Sequence, residues 1–94
     1  MSDLINEEQA IEYLKRIGRD MGSAGLSVEV FELERNLTFD EAWLKQGTVT
    51  KPEEVKAEIA DTKLLLRTYK RYSNMLHGFA RSEEAKRVQT KSAT

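Results

Sequence analysis

Ninety-four residues set a ceiling of one domain, and 39% hydrophobic residues allow only a thin core. The absence of cysteine excludes disulfides, thiol catalysis and thiolate metal sites, and a net charge of -1 argues against bulk electrostatic binding of nucleic acid. No run approaches the roughly 18 apolar residues of a membrane span, and the acidic, amphipathic start MSDLINEEQAIEYLKR lacks the apolar core of a signal peptide.

A soluble cytoplasmic protein with no membrane partner is therefore expected, and the sequon Asn36-Leu37-Thr38 reads as chance. The charge is unevenly spread. Residues 1–62 carry -7 and residues 63–94 carry +6. The halves can neutralise each other, within a chain or across a dimer, or the basic half can face an acidic partner.

The first periodic segment starts at Asn6, a helix cap with Gln9 as the reciprocal member of a capping box. Ala10, Leu14, Ile17 and Met21 follow at helical spacing, widened by Ile11. Glu7, Glu8 and Glu12 lie early and Lys15, Arg16 and Arg19 late, as the helix dipole favours. Gly18 and Gly22 are expected to loosen this helix and Gly22-Ser23-Ala24-Gly25 to end it. The glycines make no phosphate loop, because no apolar strand precedes them and no Gly-Lys-Ser/Thr follows.

In the middle of the chain, Leu26, Val30, Leu33 and Leu37 fit a helix capped by Ser27. A strand through Leu26, Val28 and Val30 loses phase at Phe31 and has only the short Thr48-Val49-Thr50 to pair with. Thr38 and Glu41 read as a second capping box, opening a short helix that Gly47 stops. The resulting helix–turn–helix shape is a poor DNA reader, since its second helix would bring Asp40 and Glu41 to the phosphates.

The third segment is the longest. Thr50 and Glu53 read as a capping box, with Pro52 in the first turn, where no hydrogen bond is lost. Val55, Ile59, Thr62, Leu66, Tyr69, Ser73, Leu76 and Ala80 hold a heptad register. A second stripe of Leu65, Thr68, Tyr72, Met75 and Phe79 begins only at residue 65, and Glu54, Glu58 and Asp61 occupy that side earlier. Residues 89–94 lack apolar periodicity and read as a disordered tail behind a single helical domain over 1–88.

Catalysis finds little support. His77 is the only histidine, and on a helical wheel it falls with Lys63, Lys70 and Arg81 on the solvent side. The acidic run Glu53, Glu54, Glu58 and Asp61 suits a solvated helix start better than a cation site. Lys63, Arg67, Lys70, Asn74, His77 and Arg81 form a basic stripe about 80° wide, while the aromatics lie opposite, so bases would find no stacking platform beside the cations.

The apolar arc over 64–80 spans nearer 200°, twice what one neighbour covers. The first helix and the Phe31, Leu33, Trp43, Leu44 segment can cover part of it, and another chain is expected to cover the rest. The expected fold is all-α, a small helical domain with two or three shorter helices packed on one long C-terminal helix. The expected function is a non-enzymatic protein–protein interaction module without cofactor or metal. It would act as an adaptor, inhibitor or assembly factor, as a homodimer or on a larger protein partner. Its contact residues would be Leu65, Arg67, Tyr69, Lys70, Arg71, Tyr72, Met75, Leu76, Phe79 and Arg81. The alternative is a nucleic-acid-associated regulator using the basic stripe.

Overall fold

The computed structural model describes residues 6–92, with side chains through Arg87. The chain forms two helices packed on each other, α1 (Glu7–Gln46) and α2 (Pro52–Ser92), and no strand among the described residues. Helix α1 opens as its sequence dictates. The Asn6 side chain accepts from the Gln9 amide at 2.8 Å, and the Asn6 amide donates to the Gln9 side chain at 3.1 Å. It ends at Gly47, whose φ of 76° is left-handed and whose amide donates to the Leu44 carbonyl.

Inside α1 the geometry departs from expectation. The backbone is non-helical only at Gly22 (φ 78°, ψ -177°), and Ser23, Ala24 and Gly25 already belong to the next helical turn. On an unbroken helix residues 13 and 29 would lie about 24 Å apart. Instead the Tyr13 hydroxyl donates to Glu29 Oε2 at 2.7 Å, so the arms 7–21 and 23–46 fold back on each other. Residues 26–37 are helical, as favoured over a strand, but no helix begins at Ser27 and no turn precedes Thr38. Thr38 caps nothing: its hydroxyl donates to the Glu34 carbonyl one turn back, within continuous helix.

Helix α2 lies antiparallel to the arm 23–46, as the contacts Ser23–His77 and Glu41–Lys63 require. It lies parallel to the arm 7–21, as Glu7–Tyr72, Gly18–Ala80 and Ser23–Glu84 at its end require. One end of the molecule is thus three helical segments thick and the other two. The long axis of 56 Å is set by α2, whose 41 residues span about 61 Å when straight. Pro52 is its first residue, as expected. The amides of Glu54 and Val55 bond to the Lys51 carbonyl, which makes Lys51 the cap in place of Thr50. Helix α2 bends at Tyr72 (φ -118°, ψ 21°) and runs helical to Ser92, so residues 89–92 are helical; Ala93 and Thr94 lie outside the described residues.

This arrangement explains the two apolar stripes of α2. Val55, Ile59, Thr62, Leu66, Leu76 and Ala80 of the heptad register are buried all along the helix. The second stripe starts where the arm 7–21 arrives. Leu65 and Thr68 are buried there, and Tyr72 and Phe79 half-buried. The core proper gathers Ala10, Leu14, Leu26, Leu65 and Leu76, with Ile17, Leu33, Leu64, Tyr69 and Tyr72 packed around it. Gly18 and Gly22 serve packing. A Cβ on Gly18 would meet the Ala80 Cβ at 3.0 Å, so the helices touch there backbone to backbone. Met21, expected in the core, is swung out by the turn and exposed. No helix among the described residues is long and apolar enough to cross a membrane.

Candidate interaction surface

The turn at Gly22 leaves orphaned backbone groups on both sides, and α2 partners three of them from one face. The Glu84 carboxylate accepts from the Ser23 amide at 2.5 Å, at the positive start of the arm 23–46. The Arg87 guanidinium donates to the Arg19 carbonyl and, at 3.1 Å, to that of Asp20, at the negative end of the arm 7–21. Charge and helix end match in both cases.

Beside this turn sits His77. It does not face solvent with the lysines, because the fold-back of α1 brings Ser23 onto it. Ser23 Oγ lies 2.6 Å from Nδ1 and the Tyr69 hydroxyl 2.7 Å from Nε2. The Tyr69 ring meets the imidazole edge-on at 5.7 Å. A serine beside an imidazole invites comparison with a nucleophile and its base. Here, however, the second ring nitrogen faces a phenol where a triad has a carboxylate, and both nitrogens are engaged by hydroxyls from different helices. The arrangement ties the start of the arm 23–46 to α2 on both sides of the bend at Tyr72. Among the described residues no cluster of three or more His, Asp or Glu is placed to hold a metal.

The residues expected to contact a partner scatter between core and surface. Leu76 is 1% exposed and Leu65 is 8% exposed, so both are occupied by α1. Tyr69 and Tyr72 are half-buried against the core, and the Tyr72 hydroxyl donates to Glu7 Oε1 at 2.8 Å. Phe79 is half-buried beneath the Lys15 ammonium, 5.4 Å from its ring centre. Arg71 is exposed but pairs with Glu7 at 3.6 Å and lies 5.5 Å from the Tyr72 ring. Met75, Arg67, Lys70 and Arg81 are exposed. Lys63 pairs with Glu41 at 3.4 Å, so acidic and basic halves do meet within the chain, through exposed pairs that each contribute about 0–1 kcal/mol.

The chain's own α1 thus covers much of the apolar arc of α2. The uncovered apolar surface lies elsewhere, on the outer face of the arm 23–46. Phe31 is 66% exposed, Phe39 72%, Val28 52% and Trp43 46%. At 100° per residue, these side chains centre about 180° from Leu26, Val30, Leu33 and Leu37, which face the interior. Phe31 and Trp43, expected to help cover α2, point away from it. Leu33 and Leu44 are half-buried on the inner side. Arg35, Thr38, Phe39, Asp40, Ala42, Trp43 and Gln46 line a shallow groove here, in which Asp40 Oδ2 is shielded from solvent and no donor among the described residues reaches it. The signal was in the sequence, since Val28, Phe31, Phe39, Ala42 and Trp43 share a helical face. It goes unread once a helix boundary is drawn between Leu37 and Thr38.

No protein-family profile, no curated protein and no solved structure matches the chain.

Proposed function

We propose that the protein is a non-enzymatic protein–protein interaction module that docks through the outer face of α1, at Val28, Phe31, Phe39 and Trp43. The observation that carries this reading is a helix apolar on two opposite faces, only one of which is packed. A helix at the edge of a small domain needs one apolar stripe. A second, rich in aromatics and flanked by polar residues, is the composition of a docking site.

The arc of α2 contributes less to such a surface, since Leu65 and Leu76 are already covered. Its basic stripe is also a poorer match to nucleic acid than its composition suggests. Lys63 and Arg71 face Glu41 and Glu7, and Tyr69 and Tyr72 are turned toward the core and away from any base. His77, in this reading, is a structural tie.

The test compares two exposed pairs in the intact chain. Phe39→Glu with Trp43→Glu abolishes association with whatever binds the protein, while Arg67→Glu with Lys70→Glu leaves it, both variants keeping the parent's helical circular dichroism. Association that survives the first pair and fails with the second refutes the reading.

A further inference from the structure

We infer that the occupant of the outer α1 face is a second copy of this chain, packed antiparallel about a two-fold axis at Arg35. This rests on the interaction reading above and names its partner.

The argument starts from spacing. Ala24, Val28, Phe31, Arg35, Phe39, Ala42 and Gln46 follow one another at intervals of 4, 3, 4, 4, 3 and 4. On the wheel they fall within about 80° of one another. The series reads the same in both directions from Arg35. An isologous contact between antiparallel helices sets residues equidistant from the axis against each other. Phe31 then meets Phe39 of the second copy, Val28 meets Ala42 and Ala24 meets Gln46, each contact made twice. The same intervals form an 11-residue repeat, which departs little from a straight α-helix. Two such faces can lie together without coiling, and the arm 23–46 is helical without interruption.

Charge fits the same axis. Arg35 on the axis would face its own mate, which is unfavourable unless an acid lies between them. Glu32 is one turn away on the same side, about 4.5 Å along the helix. It is exposed, and neither Glu32 nor Arg35 makes an ion pair or side-chain hydrogen bond among the described residues. In the antiparallel pair each Glu32 reaches the Arg35 of the other copy.

Area is sufficient. Taking about 200 Å² for a fully exposed aromatic side chain, Phe31, Phe39 and Trp43 offer roughly 370 Å² per chain at their observed exposures. Two copies double that, and Val28, Arg35, Ala42 and Gln46 bring the total toward the roughly 1,200 Å² at which stable interfaces begin.

The experiment uses the full chain, in sedimentation equilibrium over a concentration series, with emission of its single tryptophan, Trp43, as a second readout. Expected are twice the chain mass at high concentration, a parallel blue shift of the emission, and a dissociation constant raised roughly tenfold or more by Phe39→Glu. Arg35→Glu weakens the pair, and combining it with Glu32→Arg restores it. Because the chain has no cysteine, geometry is read by oxidation. Arg35→Cys cross-links to its mate on the axis. Val28→Cys does not, because it lies about 21 Å from its own mate, beyond the roughly 7 Å a disulfide bridges.

Equal cross-linking at both positions overturns the antiparallel pairing. A chain that stays monomeric at every concentration, with Trp43 emission unchanged, overturns the second copy. If that monomer still forms a complex sensitive to Phe39→Glu, the interaction reading stands and only the self-pairing falls. A dimer indifferent to both Phe31→Glu and Phe39→Glu removes both.

Discussion

Replacing Gly22 by alanine tests how α1 reverses. The observed φ of 78° with ψ of -177° is a region that is essentially glycine-only, and holding an L-residue there costs about 1–3 kcal/mol. The added Cβ would also fall within the Glu84 carboxyl group, 2.7 Å from Cδ, so the carboxylate must leave. Its charge-assisted bond to the Ser23 amide goes with it, a further loss of about 1.5–3 kcal/mol. Together these reach about 2.5–6 kcal/mol, a large share of the 5–15 kcal/mol that holds a domain together. Urea unfolding followed by circular dichroism reads the loss as a lowered midpoint. The same substitution in α2 supplies the control. A Cβ on Gly78 meets no heavy atom within 4 Å, so Gly78→Ala stabilises by up to about 1 kcal/mol through helix propensity alone. Opposite signs are expected from one chemical change. A Gly22→Ala protein within about 1 kcal/mol of the parent, well below the strain worked out here, would refute the account of the turn.

Leu76→Ala, at the centre of the core, costs about 2–5 kcal/mol in the same unfolding assay. Phe39→Ala, on the outer face, stays within about 0.5 kcal/mol when measured at concentrations too low for association. Arg87→Ala removes the donors to the Arg19 and Asp20 carbonyls and should accelerate amide exchange around residues 19–23 while leaving residues 55–66 protected, as hydrogen-exchange mass spectrometry would show. The Tyr13 phenol is pushed up to about 12 by burial, by its hydrogen bond to Glu29 and by that residue's charge. A phenol held above its unfolded value contributes stability that is complete below about pH 10 and lost as pH climbs toward 12. Phenolate absorbance should therefore show Tyr13 ionising near 12, and Tyr13→Phe should flatten the alkaline fall in stability.

Local chemistry was legible at several points where the structure closes on itself within a few residues, though the cap of α2 fell on Lys51 and not on Thr50. The Asn6–Gln9 capping box, the left-handed stop at Gly47 and Pro52 in the first turn each need only neighbours in sequence. Periodicity located the buried face of α2, and the late onset of its second stripe at Leu65 marked where another segment arrives. The reversal of α1 was half legible, in that Gly22 ends a segment. Its sharpness was hidden because the groups that satisfy it, Glu84 and Arg87, sit far along the chain. Thr38 and Glu41 show the opposite failure. They match a capping box, yet the flanking apolar residues keep the helix going and the hydroxyl turns back to Glu34. His77 was misplaced for a non-local reason, since a wheel of α2 cannot know that Ser23 is brought to it.

The bonds across the Gly22 turn have a consequence for the order of assembly. The Ser23 amide waits for a carboxylate 61 residues later in the chain, and the carbonyls beside it for a guanidinium 67 and 68 residues away. During synthesis from the N-terminus, the two arms of α1 emerge long before either group exists. They can become helical early, since helices form in about a microsecond, and Tyr13 can reach Glu29 within α1, but the orphaned groups at the turn stay without these partners until residues 84–87 have been made and docked. The turn at Gly22 is thus locked by groups made long after it, and loss of Glu84 and Arg87 should loosen the packing of the arm 7–21 on the arm 23–46.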